Sequence, residues 1–505
     1  MIIRILIFIG IVIFICTAIA LLPVAVARLF KGSRSTIGWS LFLIVMAALG
    51  AWTVRDIKAK AWKSGQHMHI RWNVDAFSSQ YDRIDKLGNE DLRRDYVSNF
   101  CANACTLLNL DQKTAPNTSN LVERYYFDWD DRISEAESAA PTATVASACS
   151  AALGECARIF EAEMRDGVIH GATVMAGGLD GDAVSASWGW ADAAHTVPMT
   201  PRTVVDIASV TKAAAGTTAF LVAHAKGLVD FDAPFTNYLS AYRAPLARVV
   251  TVRDLMNHLS GFGEADGTGK RVYFSDDPAR MLDNVLAMPP AEPKEGAVAY
   301  SCRNYVLLGR MLEQIAGCGV GEFARREIFL PAGMADSSLG APLPSVSRDR
   351  LAQTIGTPRP GEISDFVARP LWGAGIGTLN AGMFSTAEDL ARLLRTYLRG
   401  GVTDGGVRIF GEAEMSAIAP SATNRVEGAR SFGWQTASAD LPGALFGTAL
   451  FHSGWSGQTV LFDLRRRRYA IVLTTRCGDY ARAKRERLAA IAALLHVIGN
   501  NSNNL

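Results

Sequence analysis

Residues 206–212 read Asp206-Ile207-Ala208-Ser209-Val210-Thr211-Lys212 and lead into an alanine-rich run from 213 to 221 that favours a helix. Positions three apart on a helix share a face, with Cβ atoms about 5–6 Å apart, so Ser209 would lie beside Lys212. The positive end of the helix would favour negative charge on the serine oxygen, and a lysine whose pKa is lowered could accept the hydroxyl proton. By itself this pattern is weak, because roughly one or two Ser-x-x-Lys matches arise by chance. A capping serine followed by a surface lysine is the alternative.

Two motifs later in the chain accompany this one. Ala299-Tyr300-Ser301 precedes a predicted helix that includes Asn304, and His452-Ser453-Gly454-Trp455 precedes a predicted β-hairpin. The order Ser-x-x-Lys, Tyr-Ser, His-Ser-Gly resembles the serine β-lactamase and penicillin-binding-protein superfamily. The resemblance is to its class C-like branch, which also includes esterases, D-aminopeptidases and DD-peptidases. Segments 251–261, 373–378 and 384–391 resemble the same branch, so the similarity covers about residues 154 to 498.

The resemblance implies a mixed α/β (α+β) fold of the β-lactamase/transpeptidase type. An antiparallel sheet flanked by helices and a helical subdomain would hold the site in the cleft between them. Ser209 would attack a carbonyl while Lys212 and Tyr300 act together as the base, and Tyr300 would later activate the hydrolytic water. No metal and no other cofactor is implied. The substrate-binding and oxyanion positions implied by the resemblance are Ser209, His452, Ser453, Gly454, Trp455 and Cys302.

The backbone N–H groups of Ser209 and Trp455 would form the oxyanion hole, and His452 stands where β-lactamases carry a lysine. Cys302 departs from the family pattern, because the second motif usually reads Tyr-Ser-Asn or Tyr-Ala-Asn. An asparagine amide offers a substrate amide both a donor and an acceptor, whereas a thiol does either only weakly. We therefore expect ester or peptide acylation rather than efficient β-lactam hydrolysis. Cys302 is interpreted as a small pocket-lining residue, with a modifiable thiol as the alternative.

The hydrophobic patterning of residues 149 to 497 indicates strands at both ends with helices between them. Residues 171–178 and 183–190 predict two strands joined by a turn, and 459–464 and 469–475 predict a second pair. Helices are predicted over 149–165 and 482–497. This distribution predicts an antiparallel sheet whose edges come from distant chain segments. The four arginines at 465–468 fit a solvated hairpin turn, with an anionic-lipid contact as the alternative.

The N-terminal region predicts a membrane anchor. Residues 5–27 and 37–54 are two uncharged apolar runs, and a hydrocarbon core needs about 20 such residues. Two retained transmembrane helices are favoured over a cleaved signal peptide, although residues 25–27 fit a cleavage pattern. Basic residues lie on both sides of the second run, so charge counting does not decide the orientation. We expect a bacterial inner-membrane location with the catalytic domain in the periplasm.

Composition and cysteine spacing add limited constraints. A net charge of +2 gives no basic field for nucleic acid. Cys101, Cys105, Cys149 and Cys156 could form two disulfides. A zinc site is the rival, although neither pair has the tight CxxC spacing, and buried free thiols are at least as good an interpretation as either. His67 and His69 are interpreted as surface residues rather than metal ligands. The predicted organisation is a membrane anchor (1–60), an extension with an Ala/Ser/Thr-rich linker (61–150), a hydrolase domain (151–498) and a disordered tail (499–505).

The sequence thus predicts a membrane-anchored serine hydrolase that works through an acyl-enzyme on Ser209. Its substrates would be small esters, D-amino-acid peptides or other cell-wall-derived molecules, and its non-substrate partner would be the lipid bilayer. A β-lactamase or DD-carboxypeptidase is an alternative within the same class. A penicillin-binding sensor or a catalytically weak scaffold is an alternative of another class.

Overall fold

The computed structural model describes residues 77–107 apart from 79, 86 and 88, then 129, 132–133, 145–263, 273–290, 298–419, 429–436, 445 and 448–499. The chain divides into two compact units, Met1–Val74 and Asp75–Leu505, and every described residue belongs to the second. Both predicted membrane spans and the tail after residue 499 therefore lie outside the described residues. Among the helices that are described, none is long and apolar enough to cross a bilayer.

The described residues form both α-helices and β-strands. The α-helices are α1 (Glu90–Leu107), α2 (Val145–Arg165), α3 (Thr218–Ala225), α4 (Val252–Met256), α5 (Pro278–Ala287), α6 (Cys302–Ala316), α7 (Val320–Ala324), α8 (Ala368–Gly373), α9 (Ala387–Leu398), α10 (Glu412–Ile418) and α11 (Tyr480–Gly499). The strands are β1 (Ile169–Gly178), β2 (Gly181–Gly189), β3 (Val205–Asp206), β4 (Ser338–Leu339), β5 (Met383–Ser385), β6 (Arg430–Ser431), β7 (Trp434–Gln435), β8 (Ala449–Ser453), β9 (Gln458–Asp463) and β10 (Arg468–Arg476). Short π-helices cover Lys212–Thr217 and Arg325–Phe329.

Seven strands form one antiparallel sheet in the order β2-β1-β10-β9-β8-β7-β6, and β3, β5 and β4 form a smaller antiparallel sheet. β1 pairs with β10, with Met175 opposite Ile471. Strands from the two ends of the domain therefore join one sheet, as predicted. They pair with each other inside the sheet, and its two edge strands, β2 and β6, come from distant chain segments, which confirms the prediction for the edges. β1 and β10 are buried almost throughout, whereas most residues of the edge strand β2 are half-buried or exposed.

The predicted strands and helices match the observed ones closely, with one informative difference. α2 begins at Val145, four residues before the predicted start and inside the segment interpreted as a linker. An Ala- and Ser-rich composition is typical of linkers, but alanine also favours helix. Packing stabilises the helix, because Cys156 and Phe160 are buried against the rest of the domain. The Cys156 thiol contacts the carbonyl of Ala490 in α11.

Local capping interactions fix the helix ends that surround the candidate site. Ser301 caps α6, since its side chain accepts a hydrogen bond from the Arg303 N–H at 3.1 Å. Thr251 and Asp254 form a capping box on α4, and Thr386 caps α9. Tyr300 therefore lies in extended chain just before α6, while Cys302 occupies its first turn.

The sheet and the helical region share one hydrophobic core. It includes Met175 and Ile471 from the sheet together with Phe220 and Leu307 from α3 and α6. The mixed α/β architecture with an antiparallel sheet and packed helices is thus confirmed. A separate small cluster of Ile84, Tyr96, Trp129 and Ile133 forms within the predicted extension.

Candidate active site

Ser209 lies in a sharp turn between β3 and the helical segment that follows. Ala208 has a φ of 45°, which places it in the left-handed region that non-glycine residues seldom adopt. The Lys212 N–H donates to the Ser209 carbonyl at 3.1 Å, so the helical segment begins at the serine. Residues Lys212–Thr217 are π-helical rather than α-helical, a feature that often marks functional sites. The sequence predicted the helix but not this local winding.

Lys212 is completely buried beside the serine. Its Nζ lies 3.0 Å from Ser209 Oγ, which confirms that the two side chains share a face. The same Nζ donates to the carbonyl of Asn380 at 2.8 Å and contacts Cys302 Sγ at 3.5 Å. Three acceptors around one nitrogen match the three protons of an ammonium group. The capping-serine and surface-lysine alternative is therefore excluded.

Tyr300 approaches Ser209 from the other side. Its hydroxyl lies 2.9 Å from Ser209 Oγ, so the serine oxygen contacts both the lysine and the phenol. The Lys212 nitrogen also lies 5.0 Å from the centre of the Tyr300 ring. Ser209, Lys212 and Tyr300 are thus brought together although Tyr300 is 91 residues from Ser209 in the chain.

The charge state of the pair differs from the expectation for Lys212. Burial lowers the pKa of Lys212, but Cys302, Tyr300 and the carboxylate of Asp365 outweigh it and hold that pKa above its ordinary value. Desolvation raises the pKa of Tyr300, against the lowering effect of Lys212 and Arg430. The expectation of a lowered lysine pKa is therefore wrong. Both directions favour the protonated forms of these groups, an ammonium at Lys212 and a neutral phenol at Tyr300.

Cys302 occupies the position where the family pattern has asparagine. It is 6% exposed, and its thiol faces the lysine rather than solvent. The interpretation as a small pocket-lining residue understates its role, because it is one of the three groups around the Lys212 nitrogen. The modifiable-thiol alternative stays a prediction.

The third motif packs against the residues that precede the serine. A Cβ on Gly454 would lie 2.6 Å from the Ile207 carbonyl oxygen, so only glycine allows the two backbones to approach this closely. The Ser456 hydroxyl donates to the carbonyl of Asp206 at 3.3 Å. Both contacts bring the chain around Trp455 to the Ser209 turn.

Among the backbone–backbone hydrogen bonds of the turns and loops in the described part of the chain, none has the N–H group of Ser209 or Trp455 as its donor. Both N–H groups are therefore available as the predicted oxyanion donors. Behind them, Arg476 Nε donates to the Trp455 carbonyl at 2.5 Å, and its guanidinium lies 4.7 Å from the centre of the Trp455 ring. Sequence reasoning missed Arg476, whose position at the end of a buried strand gave no signal.

The side chains of the third motif are not directed at the serine by any hydrogen bond. His452 is 2% exposed, and its Nδ1 lies 3.1 Å from the carbonyl of Ser453. Burial, with the nearby charges of Arg430 and Lys212, holds the pKa of His452 well below its ordinary value. The Ser453 hydroxyl bonds to Thr459 Oγ1 at 3.0 Å.

Other residues near the serine were not identified from the sequence. The side chain of Asn380 donates to Asp365 at 3.0 Å, which orients the loop whose carbonyl accepts from Lys212. The guanidinium of Arg430 lies 5.1 Å from the centre of the Tyr300 ring. Asn380 follows the 373–378 segment, which resembles the family, so the sequence pointed to this part of the chain. It did not indicate that the Asn380 carbonyl contacts Lys212.

The remaining cysteine and histidine predictions are only partly covered. Cys149 and Cys156 carry no disulfide, while the side chains of Cys101 and Cys105 lie outside the described residues. His67 and His69 also lie outside them. Within the described part of the chain, no group of three or more potential ligands could hold a metal ion.

Comparison with known proteins identifies relatives of this arrangement. A family model described as Beta-lactamase matches residues 156–494. A protein of Escherichia coli K12 described as "Putative D-alanyl-D-alanine carboxypeptidase" is 24% identical over 296 residues, which cover 53% of this chain and 68% of the relative. A class C β-lactamase from Rhodobacter sphaeroides is similar in structure, with 20% identity, a TM-score of 0.54 and coverage of 68% of this chain and 99% of that one. A family VIII carboxylesterase is also similar in structure, with 21% identity, a TM-score of 0.52 and coverage of 68% of this chain and 97% of the carboxylesterase.

Proposed function

The chain belongs to the beta-lactamase family, whose members are serine hydrolases, and we propose that it forms an acyl-enzyme on Ser209 and cleaves small esters or D-amino-acid peptides. One observation carries this proposal. Ser209 Oγ lies within hydrogen-bond distance of both Lys212 Nζ and Tyr300 Oη, at 3.0 and 2.9 Å. A serine hydroxyl is a weak nucleophile until a neighbouring group takes its proton, and both candidates are already in place.

Acylation begins when the Lys212–Tyr300 pair has lost one proton. Tyr300 then holds the negative charge, because Lys212 and Arg430 both stabilise a phenolate and the buried Lys212 ammonium is hydrogen-bonded by three acceptors. Ser209 Oγ gives its proton to Tyr300 Oη and bonds to the substrate carbonyl carbon. The carbonyl electrons move onto the oxygen, which the N–H groups of Ser209 and Trp455 stabilise.

The acyl-enzyme forms when the tetrahedral intermediate collapses. The bond to the leaving group breaks, and the leaving alcohol or amine takes the proton from Tyr300. Water then occupies the leaving-group side and gives a proton to Tyr300 while its oxygen attacks the acyl carbon. The second collapse returns the proton to Ser209 and releases the acid.

The cysteine at position 302 is an argument that the substrates are esters and small peptides rather than β-lactams. With cysteine at this position, the site lacks the amide that would bind a substrate amide through a donor and an acceptor. The D-amino-acid peptide is favoured by the name of the Escherichia coli relative, and the ester by that of the structurally similar carboxylesterase.

We also propose that the two apolar runs at residues 5–27 and 37–54 tether the enzyme to the bacterial inner membrane, with the hydrolase domain in the periplasm. Protease added to spheroplasts should then digest the domain, while alkaline carbonate should leave the intact chain in the membrane pellet. Protection from the protease, or release by carbonate, would reject this part of the proposal.

The purified protein should be incubated separately with a fluorophosphonate and with a fluorescent penicillin, and adducts located by intact mass and peptide mapping. A fluorophosphonate adduct on Ser209, absent from Ser209→Ala, is the expected result. Stable penicillin labelling would instead favour a peptidoglycan enzyme or a sensor. No adduct with either probe would favour a scaffold without hydrolase activity.

A further inference from the structure

His258 lies directly behind Tyr300 and contacts the chain on both sides of it. The carbonyl of His258 accepts the Ala299 N–H at 2.8 Å, and its Nδ1 accepts the Ser301 N–H at 3.1 Å. Both peptide N–H groups that flank Tyr300 are therefore bound by one residue. His258 is fully buried and has a φ of 58°, a backbone conformation that few side chains favour.

The hydrogen-bond pattern defines which imidazole nitrogen carries the proton. A backbone N–H can only donate, so Nδ1 of His258 must be the unprotonated acceptor for Ser301. The side chain of Asn304 agrees, since Ser260 Oγ bonds to its Oδ1 at 2.7 Å and leaves its Nδ2 to donate to the same Nδ1 at 3.0 Å. Protonation of Nδ1 would place three donors against one another. His258 must therefore stay neutral for these contacts to persist.

The surroundings of His258 favour that neutral state. Burial, with the positive charges of Arg430 and Lys212 and the neighbouring His452, holds the pKa of His258 well below its ordinary value. The contacts to Ala299 and Ser301 should consequently persist across the pH range in which the enzyme works.

The imidazole ring also limits where the phenol can go. The rings of His258 and Tyr300 have centroids 4.6 Å apart, and the guanidinium of Arg430 lies 5.1 Å from the centre of the Tyr300 ring. The backbone contacts set the position of the Tyr300 Cα, and the ring contact limits rotation of its side chain. Together they hold the hydroxyl at 2.9 Å from Ser209 Oγ.

We propose that His258 is the positioning residue for Tyr300, and that its Nδ1 acceptor is the essential group. This inference rests on the proposed function, because it assigns to His258 no contact with substrate and only the placement of the base. Loss of the acceptor would free the 299–301 segment and move the phenol away from the serine. A misplacement of about 1 Å can cost on the order of 10²-fold in rate.

Two variants separate the acceptor from the rest of the side chain. Glycine adopts positive φ without strain, so H258G removes the side chain without straining the backbone. Asparagine also tolerates positive φ, and its Oδ1 can replace Nδ1 as an acceptor for Ser301 in H258N. H195N is the matched control, since His195 has a φ of 56° and lies outside the Ser209 site.

The measurement is the second-order rate constant for fluorophosphonate labelling of Ser209, together with kcat and KM for a nitrophenyl ester and the thermal unfolding midpoint. We expect H258G to lower the labelling rate and kcat by about 10²-fold with KM changed less than about threefold, and H258N to recover to within about tenfold of wild type. H195N should behave as wild type.

Each other outcome overturns the inference. Wild-type labelling in H258G would show that the side chain does not position Tyr300. Labelling of H258N as slow as that of H258G would show that the acceptor is not the essential group, whatever the stability of H258G. If wild-type protein is not labelled on Ser209, the proposed function fails instead, which distinguishes the two failures.

Discussion

The two sides of Ser209 are built in different ways. On the side proposed for proton transfer (the proton-transfer side), the side chains of Lys212 and Tyr300 both lie within hydrogen-bond distance of the serine oxygen. On the carbonyl-binding side, the 452–455 motif approaches through its backbone, and the side chains of His452 and Ser453 bond elsewhere. Substitutions that change only a side chain should therefore matter more on the first side than on the second. On the second side, a substitution should matter chiefly when it moves the backbone.

The largest effect is expected from Tyr300→Phe. Loss of the hydroxyl removes the group that takes the serine proton, and general base catalysis contributes about 10²–10⁴-fold, so kcat for a nitrophenyl ester should fall by about 10³-fold. Steady-state kinetics and fluorophosphonate labelling would measure the loss. Tyr242→Phe is the matched control, since the Tyr242 hydroxyl bonds to the Met288 carbonyl at 3.3 Å and not to the serine. A Tyr300→Phe enzyme within tenfold of wild type would remove Tyr300 from the mechanism.

The second prediction concerns pH and tests the resting protonation state. The pKa values of both Lys212 and Tyr300 are raised above their ordinary values, so the resting pair must lose a proton before it can act as a base. Below those pKa values the deprotonated fraction grows about tenfold per pH unit, and kcat/KM should rise by up to about 10²-fold between pH 6 and 8. The pKa values of His258 and His452 lie well below the ordinary histidine value, so neither should add a break near neutrality.

A pH–rate profile with a nitrophenyl ester would measure this dependence. The variant Arg430→Met tests whether the Tyr300 pKa controls this dependence. Removal of the cation beside the Tyr300 ring should raise the phenol pKa further and lower the rate at a fixed pH. A rate that is independent of pH from 6 to 8 would mean that the base is already deprotonated at rest.

The proton-transfer side also shows what the sequence could and could not reveal. The contact between Ser209 and Lys212 follows from their spacing of three, because it depends only on local helical geometry. The direction of the Lys212 pKa shift did not follow, because Cys302, Asp365 and the Asn380 carbonyl come from segments far away in the chain. Burial alone would have lowered the lysine pKa, and the tertiary contacts reverse that direction.

The same distinction holds for the fold. β1 and β10 were predicted from their own apolar residues, and the observed bounds agree to within two residues. Their pairing with each other inside the sheet was not predicted, since it depends on which distant strands come together. The roles of Arg476 and His258 depend on backbone contacts with Trp455 and Ser301, which no side-chain pattern encodes.

The third prediction moves the backbone on the carbonyl-binding side. Arg476→Ala removes the donor to the Trp455 carbonyl, and the Trp455 N–H should then lose its alignment as an oxyanion donor. Complete loss of such a donor typically costs about 10²–10³-fold, so partial misalignment should lower kcat by about 10- to 100-fold. Arg482→Ala is the control, since its guanidinium pairs with Glu163 and Asp166 instead. An unchanged kcat, with a folded protein by thermal unfolding, would contradict this role of Arg476.

The smallest effect on ester hydrolysis is expected from substitutions of Cys302, which lies beside Lys212. Cys302→Asn places an amide oxygen near the Lys212 ammonium, which keeps an acceptor there, so ester kcat should stay within about tenfold of wild type. The same amide can bind the amide of a penicillin side chain, so the ratio of penicillin to ester turnover should increase. Cys302→Ser is the control, because a hydroxyl keeps the acceptor without the amide group. Equal ratios of penicillin to ester turnover in Cys302→Asn and Cys302→Ser would mean that the residue at position 302 selects substrates only by its size. The difference between the two sides of Ser209 would then be limited to Tyr300 and Trp455.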